Sequence, residues 1–320
     1  MNILYVGHRD NNHSKYGGYD YIAKHPNTTY LKDTDVPFGF IPLFRPFKNL
    51  NLLFLDLAAK RQKNNFDIIH FFYGDYMFFS SPPANSRAKF VSTIHLKISA
   101  LSNHKINMLK QYDGVVCLSK SEEHELVNMG INARFIPHGF NFPIFNKFSP
   151  EKLNINKEKI NIFYSGTNYR DFETLKNILL YCEEKKYDYV FHVLGQTEGN
   201  KHSLKTFQNA VIYPRVNDDI YYSLLEECNY NFLPLTFATA NNAMLESQAL
   251  GITSIIPKIP GITDYSDPEN NIFYSNNDEL FNIFDNLKKE SICKNLVEYA
   301  KKFEWSNIYQ LLDTFYSSLL

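Results

Sequence analysis

The chain has no run of apolar residues long enough to span a bilayer, no concentrated charge of either sign, no internal repeat and no low-complexity tract. The missing apolar span excludes a membrane-crossing helix. Thirty-three Lys and Arg against 34 Asp and Glu give a net charge of −1, so no long-range field favours a polyanion, and nucleic acid is not an expected partner. Cysteine is sparse: Cys117, Cys182, Cys228 and Cys293 lie far apart without metal-ligand spacing. They read as reduced and mostly buried, which fits a soluble, cytoplasmic protein. Tryptophan occurs once, whereas Phe and Tyr number 27 and 22, enough for bulky cores and for ring-stacking sites. Met1-Asn-Ile-Leu-Tyr-Val-Gly7 is too short for a signal peptide and reads as a first strand.

With 320 residues two ordinary cores are expected rather than one. Short β-type runs at Asn2–Val6, Phe66–Phe72, Phe90–His95, Gly114–Leu118 and Arg134–Pro137 share the first half with helical patterns at Tyr19–Lys24, Leu50–Lys63 and Ser121–Met129. A polar stretch, Asn146–Lys159, breaks the pattern. The pattern restarts at Ile160–Gly166 and continues through Tyr189–Leu194, Ala210–Tyr213, Tyr230–Leu233 and Ile252–Ile256, closing with helices near Asp278–Leu287, Cys293–Lys302 and Ser306–Leu319. Such alternation implies an α/β protein of two doubly wound parallel sheets, residues 1–145 and 146–303, with a final helix over 304–320. Ligands of such domains gather at the carboxyl ends of strands, here in the cleft where the two would face each other.

Four turns after predicted strands carry unusual residues. Gly17-Gly18 opens a helix in the loop His13–Ile22, where backbone amides could approach a phosphate or sugar; any sharp turn would also use such a pair. Ser165-Gly166-Thr-Asn-Tyr-Arg170 places a guanidinium at a helix start. That position opposes the helix dipole unless an anion is bound, although pairing with Asp171 or Glu173 would also account for it. In Ala240-Asn-Asn-Ala-Met-Leu-Glu-Ser-Gln-Ala-Leu-Gly251 an Asn cap precedes a short helix that carries a lone carboxylate, Glu246. The amides of Asn242 and Ala243 are placed to hold a diphosphate and Glu246 to accept from a ribose diol; a favourable charge near a helix start is the structural alternative. The fourth group is His70, His95 and His138, each ending an apolar run.

The order of these motifs resembles the retaining, nucleotide-sugar-dependent glycosyltransferases of family 4, which have the two-domain GT-B fold with Rossmann-like halves. Asp67-Ile-Ile-His70, Ser92-Thr-Ile-His95, Leu118-Ser-Lys-Ser-Glu-Glu123, Ile136-Pro-His-Gly139, Arg170-Asp-Phe-Glu-Thr-Leu175, Leu233-Pro-Leu235 with Asn242–Gly251, and Phe303-Glu-Trp305-Ser-Asn-Ile follow the family's sequence of motifs over nearly the whole chain. The resemblance implies that Gly17, Gly18 and Gly166 line the nucleotide-sugar site, the amides of Asn242 and Ala243 hold the diphosphate and Glu246 binds the ribose. Arg170 would supply the cation and His95 would touch the transferred sugar. It also implies front-face attack with retention, the leaving phosphate accepting the acceptor's proton, and no metal or other cofactor. Asp33-Thr-Asp35 matches a metal-binding DxD only at a frequency of about one per chain by chance. Two departures stand out: Ala238 occupies the position of a carboxylate that in the family touches the sugar, and Thr167-Asn168 replaces a segment that usually carries a second cation.

The acceptor implied is a saccharide or lipid-linked saccharide, in surface polysaccharide or glycolipid synthesis. Pro37-Phe-Gly-Phe-Ile-Pro-Leu-Phe-Arg45-Pro-Phe-Lys48, followed by Leu52-Leu-Phe-Leu55, suits peripheral membrane contact and equally a packed loop with a core helix. Two other functions fit the same fold: a catalytically inactive nucleotide-sugar-binding partner, and an epimerase or phosphorylase acting on sugar phosphates, such as a sugar-nucleotide epimerase.

Overall fold

A computed structural model describes residues 1–8, 18–36, 45–75, 80–141, 153, 155–289 and 292–320, with the side chains of residues 45–49 excepted. The chain divides into two compact units, Met1–Gly139 with Phe303–Leu320, and Phe140–Lys302. Most of the polar stretch predicted as a linker lies outside the described residues, as do Gly17, the loop from His13 and residues 37–44.

The first unit is a six-stranded parallel sheet in the order β2-β1-β3-β4-β5-β6. Its strands are β1 (Ile3–Gly7), β2 (Thr28–Lys32), β3 (Ile68–Phe71), β4 (Lys89–Ile94), β5 (Gly114–Cys117) and β6 (Ala133–Phe135). Every strand pairing is parallel and in-register pairs such as Ile3 with Ile68 set β1 against β3. Burial runs without alternation along β1 and β3 because helices cover both faces. Helix α1 (Arg45–Arg61) buries Leu52, Leu55 and Ala59, so Leu52 and Leu55 of the proposed membrane segment face the core. Helix α2 (Asn103–Leu109) and α3 (Lys120–Asn128) are capped by the side chains of Ser102 and Ser119. The helix expected at Tyr19–Lys24 is a 3-10 helix preceded by Gly18, whose φ is 110°.

The C-terminal helix, Trp305–Leu319, packs in this unit through ring contacts that need glycine opposite. A Cβ on Gly139 would lie 2.2 Å from the Trp305 ring, so a larger residue there would displace the indole. Farther along the helix, the Tyr316 hydroxyl is 2.5 Å from His70 Nδ1 and 3.2 Å from the Tyr5 hydroxyl, and His70 Nε2 is 2.7 Å from Thr93 Oγ1. His70 is therefore tied into the packing of this helix. It sits within β3, fully buried, and burial lowers its pKa to about 3. Tyr316→Phe should leave that imidazole short of a partner and cost about 1–3 kcal/mol. Denaturant melts would read the loss, and an unchanged midpoint would show the bond to be dispensable.

The second unit contains β7 (Ile160–Ser165), α4 (Phe172–Glu184), β8 (Tyr189–Leu194), α5 (Glu198–Leu204), β9 (Ala210–Ile212), α6 (Asp218–Glu226) and β10 (Tyr230–Phe232). It continues with α7 (Asn242–Ala249), β11 (Thr253–Pro257), α8 (Ile262–Tyr265), β12 (Ile272–Tyr274), α9 (Asn277–Asp285) and α10 (Lys294–Ala300). All its strands are parallel, in the order β12-β11-β10-β7-β8-β9. β7 shows why the sheet needs cover on both sides: Ile162 and Tyr164 pack with α4 and α9, whereas Phe163 packs with α6. Strand order reverses between β7 and β10, so the loops that follow these two strands flank the switch point at which such sheets bind ligands. Those loops carry Arg170 and the cap of α7.

Candidate functional site

Helix α7 is buried nearly all round, including its polar residues Glu246, Ser247 and Gln248. Polar groups buried without partners are costly, and each of these three has partners. Asn231, in the middle of β10, donates through Nδ2 to the Ala243 carbonyl at 3.2 Å and to Ser247 Oγ at 3.0 Å, fastening the helix to the sheet. Gln248 donates to the Tyr265 carbonyl and accepts from the Asp267 amide and the Asn271 side chain. These two side chains are scaffold. Glu246 differs, because its partners are two phenols: Tyr221 donates to Oε2 at 2.8 Å and Tyr222 to Oε1 at 3.2 Å. Burial raises the Glu246 pKa to about 7, although both phenol bonds act to lower it.

The helix start is equally specific. Asn241 is the N-cap, its Oδ1 accepting from the Met244 amide at 3.1 Å, and the Asn241 carbonyl accepts from the Leu245 amide. The amides of Asn242 and Ala243 have no acceptor among the described residues, which leaves two helix-terminal donors for an anion. The loop before the cap is tightly seated. Gly261 has φ of 85°, and a Cβ there would lie 1.8 Å from the Ala238 carbonyl oxygen. Only glycine permits that approach, and Ala238 itself is buried.

On the other side of the switch point, β7 ends at Ser165 and the chain turns at Gly166, φ 86°. Arg170 folds back over this turn: Nε donates to the Ser165 carbonyl at 2.9 Å and Nη1 to the Asn168 carbonyl at 3.3 Å. The carboxylates that could have neutralised it are engaged elsewhere. Asp171 caps α4 through the Thr174 amide and hydroxyl, and Glu173 pairs with Lys176 at 2.8 Å. Arg170 has no carboxylate partner among the described residues, and burial lowers its pKa from the usual arginine value. A half-buried cation, fixed by carbonyl groups and without a carboxylate partner among the described residues, is suited to pairing with an anion. The two halves of the site adjoin, since the Tyr221 hydroxyl that holds Glu246 is close enough to Ser165 and Arg170 to be influenced by both.

Sequence reasoning singled out Arg170, Gly166, Asn242, Ala243 and Glu246, and the structure gathers them on the two loops and one helix of the β7–β10 switch point. It missed Tyr221, Tyr222 and Asn231, which read in sequence as ordinary core residues. His95 belongs to the first unit. Its Nε2 donates to the Phe72 carbonyl at 2.7 Å, and its amide donates to the buried carboxyl of Asp75 at 2.9 Å. His138 Nδ1 donates to the Gly139 carbonyl at 2.6 Å, and its ring stands beside Tyr19 and Trp305. Asp33–Asp35 is a 3-10 turn, with Asp35 accepting from the Lys32 amide at 2.9 Å. Among the described residues no group of three His, Cys, Asp or Glu is placed to hold a metal, and no helix is long and apolar enough to cross a membrane.

Residues 19–142 match the sequence profile of Glycosyltransferase Family 4. No curated protein matches the chain. Among solved structures, sucrose-phosphate synthase from Thermosynechococcus elongatus superposes with a TM-score of 0.69 at 16% identity, covering 99% of this chain and 88% of that one. A glycosyltransferase from Rickettsia africae gives 0.68 at 17% identity, over 99% and 98% of the two chains. HepE from Anabaena, solved with UDP and glucose, gives 0.69 at 14% identity, over 99% of each. The chain thus has the GT-B fold of two Rossmann-like parallel-sheet units, and its resemblance to family 4 glycosyltransferases is borne out.

Proposed function

We propose that the protein is a glycosyltransferase that moves a sugar from a nucleotide-sugar donor to a saccharide or lipid-linked saccharide acceptor, with retention of anomeric configuration, in surface polysaccharide or glycolipid synthesis. The observation that carries this reading is the half-buried Arg170, which lacks a carboxylate partner among the described residues and lies at the switch point whose other side carries the α7 amides. The donor's diphosphate supplies the missing negative charge. Arg170 pairs with it, the amides of Asn242 and Ala243 donate to it, and Glu246 turns from the two phenols to the ribose hydroxyls. Gly166 keeps the turn open, and Gly17, Gly18 and His95 of the first unit have the nucleotide-sugar roles that the family resemblance implies.

As the bond from the anomeric carbon to the phosphate oxygen breaks, Arg170 stabilises the charge gathering on the leaving diphosphate. The acceptor oxygen bonds to the same face of that carbon, and its proton passes to the departing phosphate. This route calls for no metal or other cofactor, so EDTA is expected to leave turnover unchanged.

Thermal melts with UDP, GDP, ADP, CMP and dTDP, and with their sugar conjugates, test the reading. UDP and UDP-glucose lead the panel because HepE has been solved with them. A true donor at a hundred times its Kd stabilises by about 2.7 kcal/mol. A panel with no shift would sink the reading, and proton NMR of the product would show whether the anomeric configuration is retained. Buried Ala238, where the family has a carboxylate, favours one second reading, a nucleotide-sugar-binding partner without turnover. It predicts the same thermal shift with no product across a broad panel of acceptors.

A further inference from the structure

Beside Arg170 stands an aromatic side chain that the core does not use. Tyr169 is 47% exposed, and its φ is 54°, a left-handed backbone that a bulky residue adopts only where its surroundings impose it. The imposing contacts are visible. The Tyr169 carbonyl accepts from the Thr236 amide at 2.9 Å and from its hydroxyl at 3.3 Å. Arg170 and Leu235 form an antiparallel bridge, and the Asp171 amide donates to the Pro234 carbonyl at 2.8 Å. The loops after β7 and β10 are thereby laced together, and the Tyr169 ring is set edge-on to the half-buried Phe237, with centroids 5.2 Å apart and planes at 71°. Strain that holds a ring at the surface, against a second ring, points to a ligand rather than to packing.

We propose that Tyr169, supported by Phe237, is the platform on which the sugar ring of the donor stacks. The inference rests on the nucleotide-sugar reading above. The contacts run in a fixed order: Glu246 is bonded to Tyr221, Tyr221 stands near Ser165 and Arg170, the Ser165 carbonyl is bonded to Arg170, and Tyr169 adjoins Arg170 in the chain. A nucleotide sugar has the same order of ribose, diphosphate and sugar. With the ribose at Glu246 and the diphosphate at Arg170, the group beyond the diphosphate falls at Tyr169. The C–H face of a pyranose, made electron-poor by its hydroxyls, suits the electron-rich face of a phenol. The nucleobase, attached to the ribose, lies at the opposite end.

The test compares two ligands on each variant: the nucleotide sugar that gives the largest shift in the melting panel, and its parent nucleoside diphosphate. Calorimetric titration of Tyr169→Ala should show about 10-fold weaker binding of the nucleotide sugar, with diphosphate affinity held within about twofold. Tyr169→Phe, which keeps the ring, should bind both like the wild type. Should Tyr169→Ala fold poorly, Tyr169→Gly removes the ring at a position whose φ glycine accepts freely. Equal losses on both ligands would make Tyr169 a contact to the nucleotide, and no loss on either would make it a bystander; each result overturns the platform alone. If no member of the panel binds the wild type, the nucleotide-sugar reading has failed and the platform falls with it.

Discussion

Arg170→Ala is expected to lower kcat/KM by about 10²–10³-fold, the usual penalty for removing one donor aimed at developing negative charge. The free protein should melt close to the wild type or slightly higher. Its Nε and Nη1 bonds to the Ser165 and Asn168 carbonyls are lost, but so is a half-buried cation with no carboxylate partner among the described residues, and the two effects oppose each other. The nucleotide-induced rise in Tm should disappear. Arg170→Lys should restore no more than about a tenth of the activity, because an ammonium on a flexible stem cannot keep the two carbonyl bonds and also offer a planar fork to a diphosphate. A folded Arg170→Ala protein with wild-type kinetics would show that the cation is there only to brace the Gly166 turn.

Replacing Glu246 with glutamine should separate stability from activity through pH. The folded-state pKa, about 7 against an ordinary 4.5, means that the native protein keeps a proton which the unfolded chain has already released. The native state binds more protons between these values, so stability is full below about pH 4.5 and declines as pH rises to about 7. The decline is on the order of 3 kcal/mol. Glu246→Gln has no such proton to lose, so its melting temperature relative to the wild type should climb from pH 5 to pH 8. Catalysis should move the other way. A ribose diol donates to a carboxylate and gains less from an amide, so kcat/KM of Glu246→Gln should fall about 10–100-fold at pH 8. Wild-type kcat/KM should rise with pH through about 7 as the carboxylate forms. A difference in melting temperature that does not vary with pH would place Glu246 among the ordinary exposed carboxylates, contrary to its bonds to Tyr221 and Tyr222.

The sheets were legible in sequence wherever strands are buried on both faces. β7 and β8 are mostly apolar, broken only by Asn161, Ser165 and His192, and their expected spans agree with Ile160–Ser165 and Tyr189–Leu194 to within a residue. β2 was missed because Thr28–Lys32 is an edge strand whose residues are half-buried or exposed and carry no run of apolar side chains. β12, the short edge strand Ile272–Tyr274, was also missed. Helix α7 was expected to be an apolar helix with one odd carboxylate; buried Ser247, Gln248 and Asn231 make it a hydrogen-bonded one, a feature that local pattern cannot reveal. The same limit hid the phenols. Tyr221 and Tyr222 lie 25 and 24 residues from Glu246 in the chain, and in sequence they are simply aromatic residues of an amphipathic helix. Arg170, by contrast, could be singled out from position alone, since a cation at a helix start is unfavourable without an anion. The structure added the engagement of Asp171 and Glu173 elsewhere.

The central claim is that the β7–β10 switch point binds a diphosphate through Arg170 and the start of α7. Calorimetric titration of the wild type and Arg170→Ala with a nucleoside diphosphate and with the corresponding uncharged nucleoside, at low and moderate salt, tests it most directly. The diphosphate should bind the wild type more tightly than the nucleoside does, and this advantage should collapse by about 10²-fold or more in Arg170→Ala while the weak nucleoside affinity stays unchanged. Diphosphate affinity that survives the substitution intact would contradict the account, because the anion would then be held somewhere else.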